Sequence, residues 1–419
     1  MRLAFGLLLA ATMAITVTAQ TRPRGRELGI PFPGTTGPLN AITDVPGIAV
    51  GHVTLIEGEG RLVPGKGPIR TGVTAILPRP RGNWDPVFAA TFNQNGNGDM
   101  TGINWIKESG FLEGPILLTG THSVGTVRDA AIQWQLKNGR EFIFTYPIVA
   151  ETFDFLNDAN GEHVKAIHAF QALDSAKPGP VQEGAVGGGT GMGCNGFKGG
   201  IGTSSRVLTA AQGGYTIGVL VQCNYGGDLR ILGVPIRSEI TDLGTCTILP
   251  QPLSRPWTAG IPPCSTTGAA RVDGGAPRAD GVAARADGSV FEHEGRGSII
   301  VIVATNAPLL PHQLERIARR VSLGLGRLGS FAGNSSGDLF LAFSTANAGA
   351  ANSEGTPALT MLPNERIDPL FRATIEATEE AVVNAMLAAQ TMTGADGIRV
   401  FGLPGDRVVQ VLRKYNRMK

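Results

Sequence analysis

A serine that opens a buried strand directly after glycines can do more than pack. In the run Gly295-Arg296-Gly297-Ser298-Ile299-Ile300-Val301-Ile302-Val303-Ala304, six apolar, mostly β-branched residues follow Ser298 without alternation, the pattern of a strand covered on both faces. The glycines before it bend freely, which can present the Gly297-Ser298 peptide bond to the serine's own hydroxyl. A cut there leaves Ser298 with a free α-amine. The reference pKa of such an amine, about 7.7–8.0, leaves an unprotonated fraction near neutral pH to act as a built-in base. By residue type alone, the plainer reading is a serine that merely precedes a core strand.

An N-terminal serine needs a proton acceptor, groups that hold its amine and hydroxyl in line, and donors for a tetrahedral oxyanion. Ser335-Ser336-Gly337-Asp338 offers a hydroxyl and a carboxylate two positions apart where a strand begins, so alternation puts Ser336 and Asp338 on one face. The same residues also serve as a helix or turn cap. For the oxyanion the choice is Asn224, an amide donor with the flexible pair Gly226-Gly227 just beyond it; a turn-forming asparagine is the competing reading. His122, His163 and His312 lie in separate contexts, and none carries a motif tying it to Ser298. No His or carboxylate pair has ligand spacing, so neither a metal nor another cofactor is expected.

Elements must position these groups. Strands are expected at 72–78, 86–92 and 114–121, an alternating one at 215–222, and others at 299–305 and 338–345. Helices are expected at 103–109, 123–137, 163–173, 311–324, 368–391 and 405–415, the second from Val124, Val127, Ala131 and Trp134 at helical spacing. Residues 21–38, rich in Arg, Pro and Gly, read as an extended arm, and 149–161 as an acidic turn. The glycine run at 184–202 reads as the most flexible stretch. It resembles a phosphate cradle but lacks a Walker lysine, so loop backbone packed beside a site is preferred. From about 237 to 297, Pro, Gly, Ala, Arg and Asp dominate and large apolar residues thin out, the composition of an exposed linker. Strands alternating with helices imply one α/β sandwich made by both segments together.

Bulk properties exclude several classes. The 419 residues carry a net charge of only +2 with 17% charged residues, so nothing points to nucleic acid or an anionic membrane as partner. Arg2, the apolar stretch 3–17 and the small residues Val17-Thr18-Ala19 read as a signal peptide over 1–19, which predicts a periplasmic or secreted protein free of the membrane after cleavage; an uncleaved anchor is the competing reading, against which the run is short for a span. The four cysteines lack zinc-site spacing. Cys246 and Cys264 are a candidate pair, closing a loop worth roughly 3 kcal/mol in an oxidising compartment; Cys194 and Cys223 read as small buried thiols.

The segment GSIIVIVATNAPLLPHQLERIARR at 297–320, the opening at 40–52, the VAET segment at 149–152 and the S-G-D motif at 336–338 resemble the DmpA-type aminopeptidases. This is the β-peptidyl aminopeptidase and L-aminopeptidase/D-esterase family of self-cleaving hydrolases with an N-terminal serine nucleophile. The resemblance runs over nearly the whole mature chain. It implies a four-layer αββα sandwich of the DmpA/ornithine acetyltransferase type, built from a large fragment, 20–297, and a small one, 298–419, that form one domain. It also implies homo-oligomers of such αβ heterodimers. Residue by residue, it makes Ser298 the nucleophile and Gly297-Ser298 the autocleavage site. Ser336 and Asp338 assist that nucleophile, and Glu151 receives the substrate ammonium. Where the family has an aromatic hydroxyl after the Glu-Thr pair, this chain has Phe153, and Tyr146 is no simple substitute.

The function so implied is a serine aminopeptidase or amidase that releases N-terminal residues from short peptides, amides or esters through an acyl-enzyme on Ser298, β-peptides and D-residues included among the substrate types. An acyltransferase or oligoamide hydrolase on the same scaffold is one rival. A non-catalytic periplasmic binding protein is another.

Overall fold

The computed structural model describes residues 22–250, 253, 255, 258, 261–265 and 297–419. The expected signal segment at 1–19 and the stretch 266–296 lie outside the described residues.

In chain order the strands are β1 (Ala49–Glu57), β2 (Ile69–Leu77), β3 (Val87–Asn93), β4 (Phe111–Leu112), β5 (Ile116–Gly120) and β6 (Ile148–Thr152). A hairpin of β7 (Gly193–Cys194) and β8 (Phe197–Lys198) leads into β9 (Gly200–Val207) and β10 (Thr216–Tyr225). Then come the hairpin β11 (Arg230–Ile231) and β12 (Val234–Pro235), β13 (Cys246–Thr247), β14 (Gly297–Thr305), β15 (Leu339–Ser344), β16 (Met392–Thr393) and β17 (Ile398–Val400). The helices are α1 (Ile103–Ser109), α2 (Val124–Lys137), α3 (Ala166–Asp174), α4 (Ile236–Glu239), α5 (Pro311–Arg327), α6 (Asp368–Ala388) and α7 (Gly405–Lys414).

Two sheets stack face to face. One has the order β1-β2-β5-β6, the other β4-β3-β15-β14-β10-β9. The unbroken apolar run after Ser298 becomes β14, inside the larger sheet, antiparallel to β10 and parallel to β15. Its side chains divide by parity. Ile300, Ile302 and Ala304 join the core between the sheets, with Ile76, Leu118 and Phe343. Ile299, Val301 and Val303 enter the core under α5 and α6. Each buried Ile or Val among them contributes roughly 1.5–3 kcal/mol, so both faces must be apolar. On the far side of the smaller sheet, α2 and α3 cover Val73, Ala75, Leu117 and Val149 with Val127, Ala131, Trp134 and Leu173. The result is the expected αββα sandwich.

Several expectations need correction. The stretch read as an acidic turn begins as strand β6, parallel to β5, because pairing on the buried sheet overrides the low strand propensity of its acidic residue. The 21–38 arm is packed down: Ile30 and Phe32 are in the core, and Arg24 and Arg26 pair with Glu183 and Glu380. The glycine run is close-packed rather than flexible; a Cβ on Gly189 would stand 2.6 Å from the Ile201 nitrogen. Strand β10 is buried on both faces, not alternating. Residues 237–247, placed in the expected linker, are instead built into the fold, with β13 paired to β17. Cys194 and Cys223 form a disulfide with Cα atoms 5.7 Å apart, since β7 brings Cys194 against β10. Cys246 and Cys264 pair as expected.

Candidate active site

Strand pairing builds the site. In the β10–β14 ladder, Ser298 stands opposite Asn224, and Gly297 opposite Tyr225. Gly297 has φ +98°, and a Cβ there would lie 2.0 Å from the Asn224 carbonyl oxygen. Only glycine fits this bend immediately before the serine.

The turn ahead of β15 closes on the serine from the other side. The Gly337 N–H donates to Ser298 Oγ at 3.0 Å. Flanking it, Ser336 Oγ donates to Asp338 Oδ1 at 2.6 Å, so the two residues meet as alternation suggested, although the strand itself starts at Leu339. The preceding loop pins this turn: Asn95 Oδ1 accepts the Asp338 N–H at 2.6 Å, and Asn97 Nδ2 donates to the Ser335 carbonyl at 2.7 Å. Burial pushes the Asp338 pKa up to about 6, against the Ser336 hydroxyl and the Ile299 N–H, which lower it. The carboxylate is therefore mostly ionised at neutral pH, and it keeps the Ser336 hydrogen turned towards itself.

Asn224 is 1% exposed. Its Oδ1 accepts the Gly193 N–H at 3.0 Å, which fixes the orientation of the amide. Its Nδ2 has no hydrogen-bond partner among the described residues. A buried donor left unpaired costs about 1–3 kcal/mol, and such a group is accounted for when it serves a ligand or a reacting atom. Opposite Ser298 in the ladder, it is a donor free to meet negative charge that forms beside that hydroxyl.

Glu151, from β6, is also buried. Its Oε1 accepts the Asp99 N–H at 2.9 Å, and its Oε2 accepts the Thr121 hydroxyl. Burial raises its pKa; those two donors and the charge of His122 lower it. Gly98 links it to the serine turn, since a Cβ there would stand 3.2 Å from Gly337 Cα and 3.4 Å from Glu151 Oε1. Ser298, Ser336, Asp338, Asn224 and Glu151 are thus gathered at one end of the sandwich. The histidines outside it have other partners or places: His163 Nε2 meets Asp158 at 2.9 Å, and His312 sits in the first turn of α5. Phe153 packs beside Phe155 and Leu156, while Tyr146 is exposed near Trp105. The phenol at the site is Tyr225, one residue beyond Asn224, its pKa raised by burial. Sequence reading missed the backbone donors of Gly337 and Gly193. A backbone N–H carries no residue signature; the glycines around both positions were the only trace.

Comparison with known proteins bears on this arrangement. The model of peptidase family S58 matches residues 40–400. Over 420 residues the chain is 44% identical to the β-peptidyl aminopeptidase BapA of Sphingosinicella microcystinivorans, covering 99% of this chain and 98% of that one. It is 45% identical over 421 residues to BapA of Sphingosinicella xenopeptidilytica, covering 98% and 96%. The solved L-aminopeptidase D-Ala-esterase/amidase from Ochrobactrum anthropi, a prototype for the serine aminopeptidases and a variant of the Ntn hydrolase fold, matches with a TM-score of 0.79 at 40% identity, over 95% of this chain and 100% of the other. With that sandwich and these matches along its length, the chain belongs to peptidase family S58, as a hydrolase of the DmpA type.

Proposed function

We propose that the chain cuts itself between Gly297 and Ser298 and that the freed serine is the nucleophile of an aminopeptidase for short peptides, amides and esters, N-terminal β-residues among its substrates. The observation that carries this reading is the position of Ser298 Oγ: on the Gly337 N–H, opposite an asparagine whose buried amide donor has no partner among the described residues. The substrate class is supported by the similarity to two β-peptidyl aminopeptidases.

In self-cleavage, Ser298 Oγ adds to the Gly297 carbonyl carbon. The Gly297–Ser298 C–N bond breaks, the nitrogen takes up the hydroxyl proton, and an ester remains. Water hydrolyses that ester, leaving the Gly297 carboxylate and the Ser298 amine. In turnover, the amine accepts the Ser298 hydroxyl proton as Oγ attacks the substrate carbonyl, then passes it to the departing amine or alcohol. Water activated by the same amine releases the acyl group. Asn224 Nδ2 holds the oxyanion, Ser336 and Asp338 orient the serine's proton and amine, and Glu151 receives the substrate ammonium. Export through the segment at 1–19 belongs to this reading, and two disulfides suit an oxidising compartment.

N-terminal sequencing and intact mass of the purified protein test the proposal. Wild type is expected as two fragments, one beginning at Ser298, and Ser298→Ala as a folded, uncut chain without activity towards aminoacyl p-nitroanilides or β-amino amides. Cleavage persisting in Ser298→Ala would reject it.

A further inference from the structure

One buried ionisable group behind the site has no part in the steps above. Lys198, on β8, is fully buried, and among the described residues it has no carboxylate partner. Its Nζ donates to the carbonyls of Met192 at 2.7 Å and Gly199 at 2.8 Å, with Gly189 at 3.5 Å. Three carbonyls match the three N–H bonds of an ammonium, opposing the burial that pushes its pKa down to about 7. A lysine buried without a counter-ion is costly, and packing alone would be served by methionine.

The Met192 carbonyl belongs to the same peptide unit as the Gly193 N–H, and that N–H holds Asn224 Oδ1 at 3.0 Å. The carbonyl also accepts the Gly199 N–H at 3.0 Å. The chain of dipoles is therefore continuous: Lys198 Nζ, the Met192–Gly193 peptide, the Asn224 side-chain amide, and its unpartnered Nδ2. In a dry interior each hydrogen bond polarises the next. A positive charge on the carbonyl end of this peptide makes its N–H a stronger donor to Oδ1, which in turn leaves Nδ2 more positive. The Cys194–Cys223 disulfide ties the residue after Gly193 to the residue before Asn224, so the Gly193–Asn224 step of the relay is braced covalently.

We propose that Lys198 is a positioning residue for the oxyanion site: seated on the Met192 carbonyl, it orients and polarises the Met192–Gly193 peptide, which aims the Asn224 amide at the negative charge formed during acylation. This rests on the reading of Asn224 as oxyanion donor. The ammonium touches no substrate and acts only through Asn224.

A double-mutant cycle on the full-length protein tests it, with kcat and KM measured for a β-amino p-nitroanilide. Asn224→Ala is expected to lower kcat by about a hundredfold or more, as loss of an oxyanion donor does. Lys198→Met is expected to lower kcat on the order of tenfold with little change in KM, and to add almost nothing in the Asn224→Ala background. Lys198→Gln, which keeps N–H donors without charge, should fall between wild type and Lys198→Met, and takes the place of Lys198→Met in the cycle if that variant does not fold. Where a variant is cut too slowly for turnover to be assayed, the same cycle is read on the rate of self-cleavage. Additive losses, or a Lys198 effect on KM or unfolding temperature with kcat kept, overturn the relay. An unchanged kcat in Asn224→Ala overturns the oxyanion assignment itself.

Discussion

Asp338 concentrates the pH dependence that this structure implies at the scale of single residues. Its pKa in the folded chain is raised to about 6 from 3.8, so the unfolded state gives up this proton first as pH rises. The carboxyl's contribution to stability is fully present below about pH 4 and is lost as pH climbs through about 6, a swing on the order of 3 kcal/mol. Asp338→Asn removes the titration. Urea unfolding of wild type and variant across pH 4–7 should show wild type losing ground to the variant as pH rises, and parallel curves would contradict the burial argument. Self-cleavage precedes any α-amine on Ser298, so its rate reports the ionised carboxylate without interference from that amine. It should rise with pH through about 6 and lose that dependence in Asp338→Asn, followed by intact mass over time.

Among the elements, β14 is decisive because it holds the core and the Gly297–Ser298 bond proposed to be cut in one strand. The ladder to β10 sets Ser298 opposite Asn224, and that register admits no side chain at Gly297. Gly297→Ala places a Cβ on the Asn224 carbonyl and a non-glycine residue at φ +98°, where backbone strain alone costs about 1–3 kcal/mol. The strand can relieve the clash only by moving Ser298 from the Gly337 N–H. Self-cleavage should slow on the order of tenfold or more, while circular dichroism and the unfolding transition stay close to wild type; cleavage at the wild-type rate would show the bend to be dispensable. Element types were legible in the sequence wherever both faces or one clean stripe are apolar. The unalternating, mostly β-branched run at 299–304 pointed to a two-sided strand, and the spacing of Val124, Val127, Ala131 and Trp134 to one side of a helix. Strand β6 was not legible, because Glu151 reads as a turn residue until its neighbour β5 and the Asp99 and Thr121 donors are known.

For the whole molecule, the proposed cut at 297 raises the question of how the two segments would stay together. Strands β14 and β15 lie between β3 and β10 in one sheet, so the segment from Ser298 onward is hydrogen-bonded on both sides to the segment before it. A buried ion cluster adds to this. Glu380 of α6 accepts Arg206 at 2.8 Å, Arg26 at 3.0 Å and Asn40 at 2.6 Å, all three from the earlier segment. Removing Glu380 leaves the buried Arg206 with only the more distant Glu376 carboxylate, at 3.9 Å, and backbone carbonyls as partners, a loss of up to about 3–5 kcal/mol. Glu380→Ala should accordingly lower the unfolding temperature and allow the fragments to separate at lower urea than in wild type, read by size exclusion in denaturant. An unchanged transition would show that the ladders alone hold the fragments together. Because the cluster is buried, moderate salt should leave the wild-type transition little changed.

What the amino-acid sequence determined by itself was the kind of strand that follows Ser298, the layering that strand demands, and the side chains able to act as nucleophile, helpers and oxyanion donor. Each of these is written in residue type and period, which are local. The tertiary structure alone decided which donors face the serine, that Cys194 meets Cys223, that the glycine run is packed rather than mobile, and that a lysine lies behind Asn224. These depend on strand register and on backbone N–H and C=O groups, which every residue carries alike and which only folding brings into line.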